Sequence, residues 1–466
     1  MKPKIVIVGA GISGLALGWF LKKRFGDEIA LTILESSDRA GGWIRTQRCG
    51  DFLFEAGPRS CRTRGPVTDT LQLIEDLGLE DEVIPASSAA MTRYIYTGGL
   101  LEPVPNTLFS FLTSSLMTGV LPALWHECRA PQGDGRDETI ANFIRRRFGL
   151  HIAKRFVDPL VSGIYAGDIE KLSMRACFPD LFHLEQQSGS IIKGMLKGIF
   201  KRRAHGDQSR FIKKMLSSPI FSFREGMETL TRRLQEILCA ELKMRCRVAS
   251  LDVNAEGIDV MTDTQGILQA DHVFLALPVQ GMASIFRKSA PFIADQMSGT
   301  SSASVAVVNI GWKDKILKQE GFGYLIPTSE HEEILGVVWD SSVFPQQNST
   351  SSQTRLTVMM GGAHHPGIEN SCPDELVNRA VRSLSKHLGI AEKPDATHVA
   401  FAKEAIPQYT VDHHLRVKSL EEAVSTMSGS RIHLVGSALH GVSIHNCISN
   451  AKEHSKSITG FAHHKN

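Results

Sequence analysis

The sequence has no pair of cysteines spaced C-x-x-C; its eight stand at 49, 61, 128, 177, 239, 246, 372 and 447. That excludes a zinc ribbon and a thioredoxin-type redox pair, and thiols scattered through a large chain read as reduced and intracellular. Uninterrupted apolar runs of the ~18 residues that a spanning helix needs are also absent. The nearest, Leu100 to Trp125, is broken by Pro103, Pro105 and Pro122, so it could lie on a membrane but should not cross one. Neither sign of charge dominates. Lys and Arg number 52 against 49 Asp and Glu, and a net +3 favours no nucleic-acid partner. There is no repeat of the kind that builds solenoids or propellers. Met1 runs almost directly into the apolar stretch Lys4–Val8, so no cleavable leader is expected. What is present is globular: 42% hydrophobic and 22% charged positions in 466 residues, enough chain for about three domains.

The first 60 residues read as strand, glycine-rich turn, helix, strand and loop. Residues 63–220 look largely helical, with one amphipathic patch at Leu71–Leu77 and another at Ala141–Phe156. Short apolar runs between Met244 and Leu277, separated by turn residues, suggest a small antiparallel meander. Further β-rich runs follow at Ser304–Ile310, Gly323–Pro327, Ile334–Trp339 and Arg355–Met360. The chain closes with a strand at Ile432–Val435, a polar turn and a last helix. Strand–helix alternation at both ends suggests one nucleotide-binding domain assembled from distant pieces and interrupted by two insertions.

Gly9-Ala10-Gly11-Ile12-Ser13-Gly14 follows a strand directly and opens a helix. In that setting the first glycine permits a tight turn, the second lets backbone approach a pyrophosphate, and the third lets helix and strand pack closely. The helix N-terminus then offers N–H groups to the phosphates. Glu35, at the end of the second strand, stands where an acid can accept hydrogen bonds from a ribose hydroxyl. Two further glycine-containing turns, Arg39-Ala-Gly-Gly42 and Phe54-Glu-Ala-Gly-Pro-Arg-Ser60, lie close by. A larger dinucleotide such as FAD needs several such turns. The final helix could place its N-terminus, near Ser443–Asn446, against the reduced flavin.

Together with Glu35–Arg45 and Gly57–Ser60, the runs Val161–Asp168 and Leu172–Pro179, Gly321–Pro327, Ile406–Thr410 and Gly441–Asn446 resemble the oxygen-dependent protoporphyrinogen oxidases, within the flavin-containing amine oxidase superfamily. The resemblance implies an α/β fold. A discontinuous Rossmann-like FAD-binding domain (1–62, 221–285 and 426–466) would carry a mostly helical, membrane-associating insertion (63–220, with Arg93) and a β-rich substrate-binding domain (286–425). It implies FAD-dependent six-electron oxidation of protoporphyrinogen IX to protoporphyrin IX in heme biosynthesis, with O₂ as acceptor and H₂O₂ as product. By resemblance, FAD would touch Gly9, Ala10, Gly11, Ile12, Ser13, Gly14, Glu35, Ser36, Gly42, Trp43, Gly57, Pro58, Arg59 and Ser60. Val248, His414, Val442, Ser443 and Ile444 would complete its site. Arg93 would hold a substrate propionate, and Phe322, Gly323, Leu325 and Met359 would line the tetrapyrrole slot. Asn446, Ser449–Ala451, His414 and Gly436–Ser437 depart from the family pattern.

The alternatives are coproporphyrinogen III as substrate on the same fold and, in another class, a flavin-binding scaffold without turnover. A peripheral protein of the cytoplasm or of the inner face of the cytoplasmic membrane is expected, with the mitochondrial inner membrane as the alternative and a homodimer left open. The run Arg145–Arg147 and the basic stretch Lys201–Arg210 read as solvated faces, with contact to anionic lipid heads as the sharper reading. Arg59 is either half of a structural ion pair or a residue that positions the cofactor loop. The histidine pairs at 364–365, 413–414 and 463–464 lack recurring carboxylate partners, so no metal is expected.

Overall fold

A computed structural model describes residues 2–63, 67–105, 116, 119–200 and 209–458. Its organising element is a five-stranded, all-parallel sheet whose strands come from distant parts of the chain. Their spatial order is Leu242–Lys243, Ala30–Leu34, Lys4–Val8, His272–Leu275 and Ile432–Leu434. The central runs are apolar at consecutive positions because both faces are covered. On one face, Ile5, Ile7, Ile33 and Phe274 pack against the helices Ile12–Phe25 and Ile444–Ser457. On the other, Val6, Val8, Val273 and Leu434 pack against the helices Val279–Phe286, Pro291–Ser298 and His413–Ser428.

The expected meander is present but shorter. Val248–Val253, Ile258–Thr262 and Ile267–Ala270 pair antiparallel, whereas His272–Leu275 joins the parallel sheet. Its consecutive buried residues Val273, Phe274 and Leu275 suit a strand covered on both faces.

The second sheet has seven strands, ordered Ala396–Pro407, Ser302–Trp312, Thr354–Gly361, Gly336–Val338, Gly323–Leu325, Tyr94–Thr97 and Leu100–Pro103. One face carries Ala306, Val308, Tyr324, Val358 and Met360 against Leu376, Ala380 and Leu384 of the helix Pro373–Leu388. The other turns toward the first domain, where Phe52 packs so closely on Gly311 that no Cβ fits there.

The reading of 63–220 as helical fails at its edges. Tyr94–Thr97 and Leu100–Pro103 form a hairpin that completes the seven-stranded sheet, with Tyr94 paired to Tyr324 and Ile95 to Leu325. Its turn is Gly98-Gly99, both at positive φ (59° and 79°), the conformation that a two-residue hairpin loop demands. Arg93 therefore stands at the rim of this sheet. Cys61–Arg62, Val83–Pro85 and Ile220–Phe223 form a further small sheet.

The described residues between Val120 and Leu216 are mostly helical, around Ile140, Phe143, Val161, Tyr165, Met174 and Phe182. The expectation of a solvated Arg145–Arg147 face is corrected here. Arg147 is fully buried and pairs with Glu127, also fully buried. Its guanidinium further donates to the carbonyls of Ala130 (3.0 Å) and Glu127 (2.9 Å). Glu127 in turn accepts from Ile191 N (2.7 Å) and Ser190 Oγ (2.6 Å) at the start of the next helix. Removing one partner of such a buried pair costs about 3–5 kcal/mol, so the pair clamps three helices together. Arg146 bonds Glu138 and Glu185, and Arg145 pairs with Glu170. Of the basic stretch Lys201–Arg210, residues 201–208 lie outside the described residues, as do 106–115, 117 and 118 of the apolar segment. Among the described residues no helix is long and apolar enough to cross a membrane.

A polar seam joins the seven-stranded sheet to the hairpin formed by Thr46–Cys49 and Phe52–Glu55 in the first domain. Asn309 Nδ2 donates to the Glu55 carbonyl (3.1 Å), and the buried Glu55 carboxyl accepts from Met227 N (2.7 Å) and Thr46 Oγ1 (3.0 Å). Burial outweighs those two bonds and pushes the Glu55 carboxyl up to about 8. The folded state thus holds a proton that the unfolded chain releases near pH 4.5. Glu55's contribution to stability is therefore full below about pH 4.5 and lost as pH rises through about 8. Urea unfolding of Glu55→Gln should show a shallower decline in stability across that window than the parent; identical slopes would rule out a protonated Glu55.

Candidate cofactor and substrate site

The glycine-rich turn sits at the carboxyl end of the central strand Lys4–Val8, where ligands of parallel sheets gather. Its three glycines have different reasons. Gly9 lies at φ 103°, and a Cβ on Gly14 would overlap the Gly9 carbonyl oxygen, so both are required by the protein itself. Gly11 is not. A Cβ there would meet nothing nearer than Gly42 Cα at 3.9 Å. The space in front of Gly11 is open, and the helix beginning at Ile12 has neither a side-chain cap nor an acid in its first turn. Unneutralised N–H groups beside open space over a glycine are what an anionic phosphate requires.

Glu35 is oriented by the same turn. Its Oε2 accepts from Ala10 N (2.9 Å) and its Oε1 from Ser37 N and Oγ (both 2.9 Å), with Ser36 Oγ at 3.4 Å. Three of these donors crowd Oε1, whereas Oε2 accepts from Ala10 N alone and keeps a second acceptor direction for a ribose hydroxyl. Val248 follows Cys246, whose N–H donates to the Glu35 carbonyl (2.8 Å), and packs beside Leu34.

The other turns converge here. Gly41 N donates to the Ala10 carbonyl (2.8 Å), and Gly11 and Gly41 form an isolated parallel bridge. Gly42 takes φ 58°, and a Cβ on Gly57 would overlap the Trp43 carbonyl oxygen. Trp43 itself stays 43% exposed, a large apolar ring left open beside the turn. Arg39 folds back on its own loop: it donates to the carbonyls of Ala40 (2.8 Å) and Gly42 and lies 3.7 Å from Glu228. Ser13 lies beneath Gly436, whose added Cβ would stand 3.2 Å from Ser13 Oγ. Ser443 caps the terminal helix, its Oγ accepting from Asn446 N (3.1 Å), while Ile444 packs in the core and Val442 against the helical unit. His414 departs from this cluster. Its Nδ1 faces Asp137 at 3.8 Å, near Asp412, and Asp137 is already engaged by Ser173 Oγ and Asp412 N.

Of the two readings of Arg59, the structure shows the ion pair. Its Nη1 lies 3.3 Å from Asp340 Oδ1, both largely buried, and its Nη2 lies 3.7 Å from Met359 Sδ. Asp340 Oδ2 accepts from Thr357 Oγ1 (2.7 Å), which also bonds Asn309 Oδ1 (2.8 Å). The residues expected to line a slot share one sheet face. Leu325, Gly336 and Met359 are register partners across three strands, and Gly323 and Thr357 lie two residues along the same face. That face also bears Asn309, so it is the one turned to the flavin domain. Leu325 fills the space over Gly163, within the run Val161–Asp168. The Arg93 guanidinium stands over the Phe322 ring, 5.2 Å from its centroid. Pro58 and Ser60 flank Arg59 in the chain, and Phe322 precedes Gly323.

Two residues without a role in the sequence reading lie under the turn that leads to the terminal helix. These are Tyr409 and His413, whose rings stack at 4.1 Å. Burial pushes His413 down to about 4, so it is neutral, and its Nε2 lies 3.0 Å from the Leu439 carbonyl. The sequence signal was there, since Ile406–Thr410 carries the resemblance, but no spacing says that a tyrosine reaches a turn 28 residues later.

The flavin-containing amine oxidoreductase family matches residues 12–459. The chain belongs to that family. It is an FAD-dependent oxidase, and the turns described above fit such a cofactor. The oxidase is 34% identical over 477 residues to protoporphyrinogen oxidase of Homo sapiens, covering 99% of each chain. It is 30% identical over 496 residues to that of Schizosaccharomyces pombe, covering 98% of this chain and 99% of the relative. A solved structure from Exiguobacterium sp. 255-15, provisionally assigned as a protoporphyrinogen oxidase, superposes with a TM-score of 0.84 at 24% identity, covering 98% and 99% of the two chains. Cyclohexylamine oxidase from Brevibacterium oxydans IH-35A superposes at 0.67 with 13% identity, covering 98% of each. These two likenesses are of fold.

The contrast between Gly11 and Gly14 makes a test. Gly11→Ala should keep the parent's unfolding midpoint without cofactor yet weaken FAD binding by about tenfold or more, because its Cβ enters ligand space. Gly14→Ala should destabilise the fold by about 1–3 kcal/mol or more through overpacking, with or without FAD. Equal FAD affinity in Gly11→Ala and the parent would move the pyrophosphate elsewhere.

Proposed function

We propose that the oxidase converts protoporphyrinogen IX to protoporphyrin IX. The observation that carries this is the arrangement of Arg93: a cation at the rim of the sheet face that bears the apolar residues Leu325 and Met359 and turns toward the first domain. A porphyrinogen is a large, apolar macrocycle with carboxylate feet, and it calls for apolar walls with a cation at one edge. Identity with the human and fission-yeast protoporphyrinogen oxidases over nearly their whole lengths supports the same substrate class.

The bound flavin supplies hydride acceptance and dioxygen the final oxidant, so that six hydrogens leave the macrocycle as three H₂O₂. The chain's own residues do the placing. Arg93 would hold a propionate by a charge-assisted hydrogen bond, and Phe322 beneath it would give the guanidinium an aromatic floor. Leu325, Gly323 and Met359 would exclude water from the ring, and Gly336 between Leu325 and Met359 keeps the row low. The Arg59–Asp340 pair would fix the loop Gly57–Ser60 relative to that row. Glu35 and Gly9–Gly14 would hold the dinucleotide end.

Anaerobic bleaching of the oxidised flavin by protoporphyrinogen, faster than by coproporphyrinogen, should accompany porphyrin fluorescence and, with air, peroxide. Preference for coproporphyrinogen would give the four-propionate substrate instead, and no bleaching by either would leave a flavin-binding scaffold. Arg93 is exposed in the structure, and a substrate lying over it would bury the contact. In the same assay Arg93→Ala should then lower kcat/KM by roughly tens to a few thousand-fold while FAD stays bound, the range for losing one partner of a charged contact so covered. Unchanged kcat/KM would remove Arg93 from the site.

We also propose that the helical unit docks on a membrane surface. Leu121 and Trp125 on the helix Val120–Glu127, and Met195 and Leu196 on the adjacent helix Ile191–Phe200, are exposed, and Trp125 is 66% so. Arg129 stands over the Trp125 ring at 3.3 Å, a cation beside an aromatic as at lipid headgroups. The oxidase should float with anionic liposomes and Trp125→Ser/Leu121→Ser should float less; no flotation of the parent would sink the idea.

A further inference from the structure

Between the strand Ile432–Leu434 and the terminal helix, the turn bends sharply at two glycines, Gly436 (φ 110°) and Gly441 (φ 94°). Three of its backbone polar groups are bonded by two side chains from below. The Tyr409 hydroxyl donates to the Ser437 carbonyl and accepts from Gly441 N at 2.9 Å, so one oxygen bridges both arms of the turn. His413, stacked on the Tyr409 ring, reaches the Leu439 carbonyl between them. Both residues are buried.

Tyr409 is itself held from the other side. Its carbonyl accepts from Ser173 N (2.7 Å), Leu172 and Thr410 form an isolated bridge, and Gln408 Nε2 donates to the Tyr165 carbonyl (2.8 Å). The Tyr165 ring meets the Tyr409 ring edge-on at 6.4 Å. The two runs 161–179 and 406–410 therefore meet at Gln408, Tyr409 and Thr410, and through the Tyr409 hydroxyl they reach the turn that starts the terminal helix. That helix is capped by Ser443 but has no acid in its first turn, so no charge of its own offsets its positive end.

We propose that Tyr409 is a positioning residue for the flavin: its bridging hydroxyl, with His413 beneath, sets the 436–443 turn and hence where the N-terminus of the terminal helix stands relative to the cofactor. A helix N-terminus aimed at the ring favours the reduced, anionic flavin. Misplacing it weakens FAD binding, and binding of the reduced form most. The inference rests on the family's flavin site and is independent of the substrate, since every readout below needs FAD alone.

Tyr409→Phe keeps the ring and its stack and removes only the bridge. In the purified full-length oxidase, the dissociation constant for FAD should rise about tenfold and the visible flavin spectrum should shift. The midpoint potential should fall by about 30 mV, which corresponds to a tenfold weaker preference for the reduced form in a two-electron couple. His413→Gln keeps a donor for Leu439 but removes the ring, and it should move the same readouts in the same direction by less. If the Phe variant does not fold, the Gln variant decides alone. FAD affinity, spectrum and potential all unchanged, with the unfolding midpoint lowered equally with and without FAD, would show that the bridge serves stability only and overturn the proposal.

Discussion

How near two stretches of backbone can come to each other at the carboxyl end of the strand Lys4–Val8 governs the architecture of this oxidase. Gly14 sits against the Gly9 carbonyl, Gly41 N bonds the Ala10 carbonyl, and Gly57 sits against the Trp43 carbonyl. Gly14 and Gly57 tolerate no Cβ at these contacts, and Gly41 is held at φ 106°. Because a dinucleotide is larger than one strand–turn–helix unit, its site needs several such approaches at one place. The turns come from the start of the chain, and the parallel sheet draws in the end of the chain beside them.

The seven-stranded sheet depends on the same junction. Its far face is an ordinary apolar layer on the helix Pro373–Leu388, while its near face is mixed, with Asn309, Thr357, Asp340 and Arg59 in a connected set of hydrogen bonds. Buried polar groups are costly unless each finds a partner, so such a seam fixes the sheet against the first domain more specifically than apolar contact would. It leaves the row Leu325–Gly336–Met359 at a defined height over the flavin domain. The helical unit is clamped separately by Glu127 and Arg147, which is how it can hold apolar side chains such as Trp125 outward without collapsing onto them. Tyr409 is where these arrangements touch.

Much of this was readable from residue order. The glycine fingerprint and Glu35 depend on spacings of a few residues, and local chain geometry fixes what such spacings can do. The central strands were legible because apolar residues at consecutive positions report burial on both faces. The hairpin at Tyr94–Leu100 was mistaken for part of a helical segment. Its Gly98-Gly99 turn is a hairpin signal, yet one lone hairpin has no partner in sequence, and the strand it pairs with lies more than two hundred residues away. Arg147 was misread for a related reason: charge and position do not say whether a guanidinium meets solvent or a buried carboxylate.

The sequence by itself determined the parts whose physics is local: the phosphate-binding turn, the acid after the second strand, the family motifs and the absence of a spanning apolar run. Only the tertiary structure decided which of these parts face one another. It paired Arg59 with Asp340, set Arg93 over Phe322, turned His414 toward Asp137 and brought the Tyr409 hydroxyl to Ser437 and Gly441. Each contact joins segments far apart along the chain. Its formation depends on packing the intervening domains into one arrangement, and no spacing along the sequence encodes that distance.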